Sequence, residues 1–357
     1  MPALLVVLIG LTVSGGCGAQ VRTDAPLATA SDRLFSLAGD FPLGQGTNRA
    51  DYQSFDPTSG RLYIAKMGAG KLLVFDTTQN KLIAERDGFP KVTGVLAVPE
   101  LHRIYASVPG AGLVPSIFVG LGMAGLSSGR GAIAILDTTD LHEIARLPGG
   151  VFPDGIAYDP KERRIFVSDE LGSAVLVIDA DTNRMVARID AGGEVGNVRY
   201  DPVTAKIYAP IQTRGELLVI DPVNNAVVTR LALPGGKHPH GLAIAPSAAI
   251  GYIACDGDDK LLTVDLVSGK MLDRMPLGHD PDVLAIDPDQ RRLYVASESG
   301  NLSSFDITTE RAPASLGDVF VGENAHSVAL NPKSHRLYFP LADVKGRMTL
   351  RVLAPKQ

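Results

Sequence analysis

The chain has 357 residues, 45% of them hydrophobic and 20% charged, a globular composition long enough to bury one large core or two. A net charge of −5 gives no general attraction for nucleic acid phosphates, and no run of Lys or Arg supplies a local one. Only Cys17 and Cys255 are present, which excludes a disulfide framework.

In chain order, Ala3 to Val13 is an apolar run of 11 residues followed by Ser14-Gly-Gly-Cys-Gly-Ala-Gln20. This pattern reads as the h-region and small-residue cleavage site of a secretory signal, and it is too short for a stable membrane span. Residues 1–19 are therefore expected to be a signal peptide, although its n-region carries no Lys or Arg. Cys17 resembles a bacterial lipoprotein cleavage site, with Ser14 standing where Leu is usual, so lipidation of Cys17 and cleavage after Ala19 both stay open. Either outcome exports the protein, to the periplasm, the cell envelope or the medium. Residues 20–32 are polar and Ala/Thr-rich, as a spacer is.

From residue 33 to 357 one unit repeats, so a single domain is expected. It is clearest in Pro153-Asp-Gly-Ile-Ala-Tyr-Asp-Pro160, Arg164-Ile-Phe-Val-Ser168, Ala174-Val-Leu-Val-Ile-Asp179 and Met185-Val-Ala-Arg-Ile-Asp190, four short strands separated by turn signals. With the proline of the first turn as marker, the copies fall at Pro57, Pro99, Pro160, Pro202, Pro246, Pro288 and Pro332, spaced 42, 61, 42, 44, 42 and 44 residues. Six residues after each marker stands an aromatic: Tyr63, Tyr105, Phe166, Tyr208, Tyr252, Tyr294 and Tyr338. A basic residue stands four after it in every unit but that of Ile250, and an Asp closes the third strand in most units.

The strand chemistry fixes the arrangement. First strands use small residues, as strands crowded round an axis must; third strands are apolar on both faces, as strands sandwiched between sheets are. Fourth strands alternate, with one wet face. Seven four-stranded antiparallel blades in radial array make an all-β, seven-bladed β-propeller. The last unit ends after its third strand (Met348 to Leu353), and Arg33 to Ala38 is expected to supply the missing outer strand, closing the ring and leaving no free sheet edge. A monomer is expected.

The pattern Gly-Ile-Ala-x-Asp-Pro, Arg-Ile-Phe-Val, Val-Leu-Val-Ile-Asp and Thr182-Asn, with Gly192-Gly after Ile189, resembles the YVTN-type β-propeller repeat. Residues 33 to 357 as a whole are similar to the YncE-like group of exported seven-bladed propellers. The chain has no Trp, unlike WD40 proteins and the Trp-marked quinone-dependent dehydrogenase propellers. What the resemblance implies is mostly fold, with binding more than activity.

Six residues before each marker the first strand begins, at the mouth of the central channel. Round the ring these positions are Asp51, Thr93, Asp154, Gly196, His240, Asp282 and His326, with Asn197 taken as the side chain of the fourth unit. Carboxylates about 9 Å apart across a channel repel by about 2 kcal/mol at an effective dielectric near 20, which a cation, water or protonated His relieves. Asp154, His240, Asp282 and His326 are thus candidate ligands for a divalent metal, the candidate cofactor, or an acid/base set. The same residue types are ordinary turn formers before a strand, as in Pro153-Asp, Pro239-His-Gly and Pro281-Asp. The Asp residues that end third strands read as Asx-type turn caps, and Cys255 as a small buried residue.

Residues 108–131, inserted in blade 2, form an apolar Gly-rich loop on the face of the ring, expected to pack on blades 1 to 3, to act as a lid, or to meet a partner or lipid. No nucleophile elbow, P-loop or paired CxxC is present. The expected function is binding of a small polar ligand, or of a protein or peptide partner, on the channel-mouth face. A metal-assisted hydrolase resembling lactonase propellers and a cell-envelope scaffold are the alternatives; a membrane is reached only through the lipid anchor or the 108–131 loop.

Overall fold

A computed structural model describes residues 33–109 and 131–356. The signal segment, the spacer, Cys17 and nearly all of the insertion lie outside them. The described chain folds as seven four-stranded antiparallel sheets, each a blade, with no helix longer than a single 3-10 turn. Blade 3 is representative: Pro153–Asp159, Arg164–Asp169, Ala174–Asp179 and Arg184–Asp190 pair in sequence order from the channel outward. In blade 7, Ala329–Asn331, Arg336–Leu341 and Thr349–Pro355 are followed by Phe35–Pro42 from the other end of the chain. That strand runs antiparallel to Thr349–Pro355, with Leu37 opposite Leu353 and Pro42 opposite Thr349. Arg351 clamps the seam through Nε and Nη2 on the two oxygens of Asp40, at 2.8 and 2.6 Å.

The periodic residues are the joints between blades. All seven aromatics six residues after the markers are buried, and two show why a phenol suits the position. Tyr252 donates to the Glu310 carbonyl of the next blade at 2.8 Å, and Tyr208 to that of Leu266 at 3.4 Å, so the ring fills the blade interface while its hydroxyl leaves it paired. In two blades the basic residue four after the marker reaches the neighbouring turn, Arg61 donating to the Thr138 carbonyl at 2.7 Å and Arg164 to Asn225 Oδ1 at 2.9 Å, whereas Lys206 and Arg292 pair with Asp221 and Asp306 of their own blades. The third-strand aspartates cap their turns as the sequence suggested; Asp179 accepts from the Thr182 N–H and hydroxyl, both at 2.8 Å, which holds its carboxyl below the usual range.

On the face opposite the mouth each first turn carries a residue at positive φ three positions after the marker: Gly60, His102, Arg163, Ala205, Ala249, Arg291 and His335. Only the first of these is glycine, so the other six hold a side chain in a region that disfavours it by about 1–2 kcal/mol. At Ala205, with φ of 51°, no side-chain bond offsets this. Ala205→Gly is predicted to stabilise the protein by about 0.5–1 kcal/mol, net of the extra chain entropy that glycine loses. Urea denaturation measures it, and a loss of stability would contradict the account.

Candidate ligand-binding site at the channel mouth

The inner strands meet so closely that backbone, not side chain, fills the space between them. A Cβ on Gly94 would lie 1.9 Å from the Asp154 carbonyl, and one on Gly241 would lie 2.0 Å from that of Asp282. Across the same contacts the Asn197 N–H donates to the His240 carbonyl at 2.9 Å, and the Val283 N–H to that of His326 at 3.3 Å. His240 and His326 are thereby pinned through their carbonyls, as is Asp154 by the Ser107 hydroxyl at 2.7 Å.

Of the sequence-derived ring, Asp51, Asp154, His240 and Asp282 line a cavity of about 270 Å³ at one end of the channel. His326 is fully buried against it, its Nε2 4.0 Å from Asp51 Oδ1. Thr93 is not among the lining residues, because its hydroxyl donates to the Pro153 carbonyl at 2.8 Å. Gly196 has no side chain to offer. Asn197 is buried facing the Tyr52 phenol, without a hydrogen bond of normal length.

A second ring completes the cavity. Glu170, Gln212, Asp256 and Glu298 lie at the ends of second strands, each ten residues after its marker, and all four line the mouth. Tyr52 forms part of the wall, as do Arg49, His238 and Asp280. Asp51, Asp154, Glu170, Asp256, Asp280, Asp282 and Glu298 thus face Arg49 and two histidines, so the mouth is acidic.

Burial sharpens these charges. Glu298 is the hub: His326 Nδ1 lies 2.8 Å from Oε1, Arg49 Nη1 donates to Oε2 at 3.2 Å, and Asn324 donates to Oε2 as well. Burial alone would raise this carboxyl, but His326 and Arg49 pull it down to about 2. Asp51 behaves oppositely: burial, reinforced by the Asp282 charge and opposed by His326, lifts it to about 7. Burial and the charges of Asp51 and Glu170 also raise Asp154 well above the carboxylate range. For His240 burial favours the neutral ring, yet Asp282, with Oδ1 3.4 Å from Nε2, and the Glu170 and Asp154 charges hold it protonated up to about 10.

One imidazole and two carboxylates converge. The donor atoms of Asp51, Asp282 and His326 all lie within 4.8 Å of one another. Asp154 and His240, the other two residues of the sequence-derived metal set, fall outside this group. Asp282 Oδ1 is buried and accepts no well-formed hydrogen bond. Among the described residues the same kind of group recurs at Asp137, Asp140 and His142, but there the donors are surface turn caps. Cys255 is buried, and burial pushes its thiol up to about 12, which leaves it unreactive.

No family model matches this chain, and no curated protein matches it. The solved structures share its shape. Hydrazine synthase from Kuenenia stuttgartiensis superimposes with a TM-score of 0.69 at 17% identity, over 85% of this chain and 95% of that one. A chain of the mitotic checkpoint complex superimposes with a TM-score of 0.72 at 10% identity, over 98% and 99%. At such identities the likeness establishes the propeller and nothing about its ligand.

Glu298→Gln would leave Arg49 and His326 without their shared counter-charge. It is predicted to cost about 1–3 kcal/mol, the range for a part-buried hydrogen bond to a charged group. Urea denaturation at neutral pH checks this, and a change below about 0.5 kcal/mol would show that Glu298 is not the hub.

Proposed function

We propose that this chain is an exported binding propeller of the YVTN-repeat, YncE-like type, whose channel mouth holds a divalent cation on Asp51, Asp282 and His326. The observation that carries the reading is the convergence of those three donor sets in a pocket of seven carboxylates, beside a buried Asp282 oxygen whose one close protein neighbour is His240 Nε2 at 3.4 Å. His326 is prepared as a ligand, since Glu298 takes Nδ1 and leaves Nε2 turned toward Asp51. A carboxylate behind a histidine in this manner fixes the ring's orientation and strengthens its free nitrogen as a donor. One imidazole and two carboxylates suit Zn or Mn ions better than Ca ions, which favour all-oxygen shells. Three protein ligands leave coordination positions for a small polar ligand, or for a carboxylate or carbonyl of a partner peptide, arriving at this face. Export rests on the Ala3 to Val13 run and its small-residue boundary.

A metal-assisted hydrolase is the second reading, favoured by one observation: the His240 imidazole stands with Nε2 3.4 Å from Asp282 Oδ1, an acid/base group beside the cation. Thermal unfolding after chelation and then addition of Zn or Mn chloride tests both readings. The melting temperature is predicted to rise by several degrees, since a cation at 100 times its Kd adds about 2.7 kcal/mol. Asp282→Asn should abolish the rise. No shift in the parent, or an equal shift in the variant, would remove the cation from this site. Turnover of a simple lactone by the loaded protein, lost in His240→Gln, would favour the hydrolase, and absence of turnover leaves the binding role.

A further inference from the structure

A second cavity, of about 490 Å³, occupies the channel beyond Tyr52. Tyr52 lines both spaces and forms the partition between them. The two differ in chemistry. The mouth is walled by carboxylates, whereas the second cavity is walled by first strands of blades 1 to 4 that present Val95, Ala97 and Ile156, with Tyr158 and Tyr200 further along. Its size is that of a small-molecule site, and its lining of apolar and aromatic groups with one cation, Arg199, and one carboxylate, Glu100, is the usual composition of one.

The cation is Arg199. Its guanidinium makes one hydrogen bond, from Nη1 to the carbonyl of the adjoining Val198 at 2.9 Å, and forms no ion pair within 4 Å among the described residues. The only nearby opposite charges are the Tyr52 phenol, neutral at ordinary pH, and Asp154, which burial and its acidic neighbours bias toward its protonated form. Burial lowers the affinity of Arg199 for its proton, the mark of a cation short of compensation. A part-buried guanidinium with no ion pair is a ready partner for an anion, and its planar fork fits a carboxylate through two parallel hydrogen bonds. At the far end Glu100 accepts from the Tyr158 hydroxyl at 2.6 Å, which places a negative charge where a second acid group of a longer ligand would come. The site therefore selects a monocarboxylate.

We propose that the inner channel is a binding site for a small aromatic monocarboxylate, its acid group on Arg199 and its ring against Tyr52, Tyr158, Ala97 and Ile156. The site is independent of the cation at the mouth, since neither Asp51 nor Asp282 lines it.

Titration of the full chain with 2-naphthoate, followed calorimetrically in the presence of chelator, tests this. One-to-one binding is expected, with 2-naphthamide binding at least tenfold more weakly. Arg199→Met should weaken naphthoate at least tenfold, and Asp282→Asn should leave it unchanged. Should Arg199→Met fail to fold, Ala97→Phe, which fills the cavity, should abolish binding in a protein whose melting is retained. Absence of binding by the parent, equal binding of acid and amide, or full binding by a folded Arg199→Met or Ala97→Phe chain would overturn the proposal.

Discussion

The inner strands of seven blades have to share one axis, and the backbone contacts they make there govern the rest of the molecule. Where Gly94 meets the Asp154 carbonyl and Gly241 that of Asp282, no side chain has room to intervene. The carbonyls of His240 and His326 are held by N–H groups of the preceding blade. Asp51, Asp154, His240 and Asp282, six residues before their markers, thereby line the channel mouth, and closure through Phe35–Pro42 on Thr349–Pro355 holds the circle at seven. A ring of this kind is a rigid mount, and rigid mounts favour preorganised sites over mobile ones.

On that mount the electrostatics do not cancel evenly. Arg49 and His326 both act on Glu298, so one carboxylate takes most of the nearby positive charge and becomes strongly acidic, while Asp51 and Asp154, as deeply buried, are left to repel one another. That imbalance is what a cation would correct. Beyond Tyr52 the lining is mostly apolar, with the Arg199 guanidinium unpaired by any carboxylate and Glu100 bonded to Tyr158. An acidic mouth on one side of one phenol and a mostly apolar space with an unpaired cation on the other give the channel two chemically distinct compartments.

Most of the fold was legible because a propeller writes its geometry in register. The marker prolines, the buried aromatics after them and the aspartate caps each have one structural task, and each task recurs in nearly every blade. The site was half legible. Asp51, Asp154, His240, Asp282 and His326 follow from counting back to the first strand, but Glu170, Asp256 and Glu298 sit ten residues forward of their markers, and counting in that direction would have found them. Thr93 shares the ring's register yet bonds the neighbouring blade, and Asn197, one residue past the ring position of its unit, faces Tyr52, because spacing fixes the position along a strand and not which partner a side chain takes. Spacing alone does not reveal how near Asp51, distant in sequence from Asp282 and His326, comes to them once the ring closes and blades 6, 7 and 1 stand side by side. That Arg199 faces an apolar cavity depends on three other blades.

The central claim, a cation held jointly by Asp51, Asp282 and His326, is tested most directly by anomalous diffraction from crystals of the full chain soaked in manganese chloride. The account predicts one strong peak within about 2.0–2.4 Å of a donor atom from each of the three residues, the range of metal–ligand bonds. A peak seated elsewhere in the mouth, or none at a concentration that occupies ordinary carboxylate sites, would contradict it.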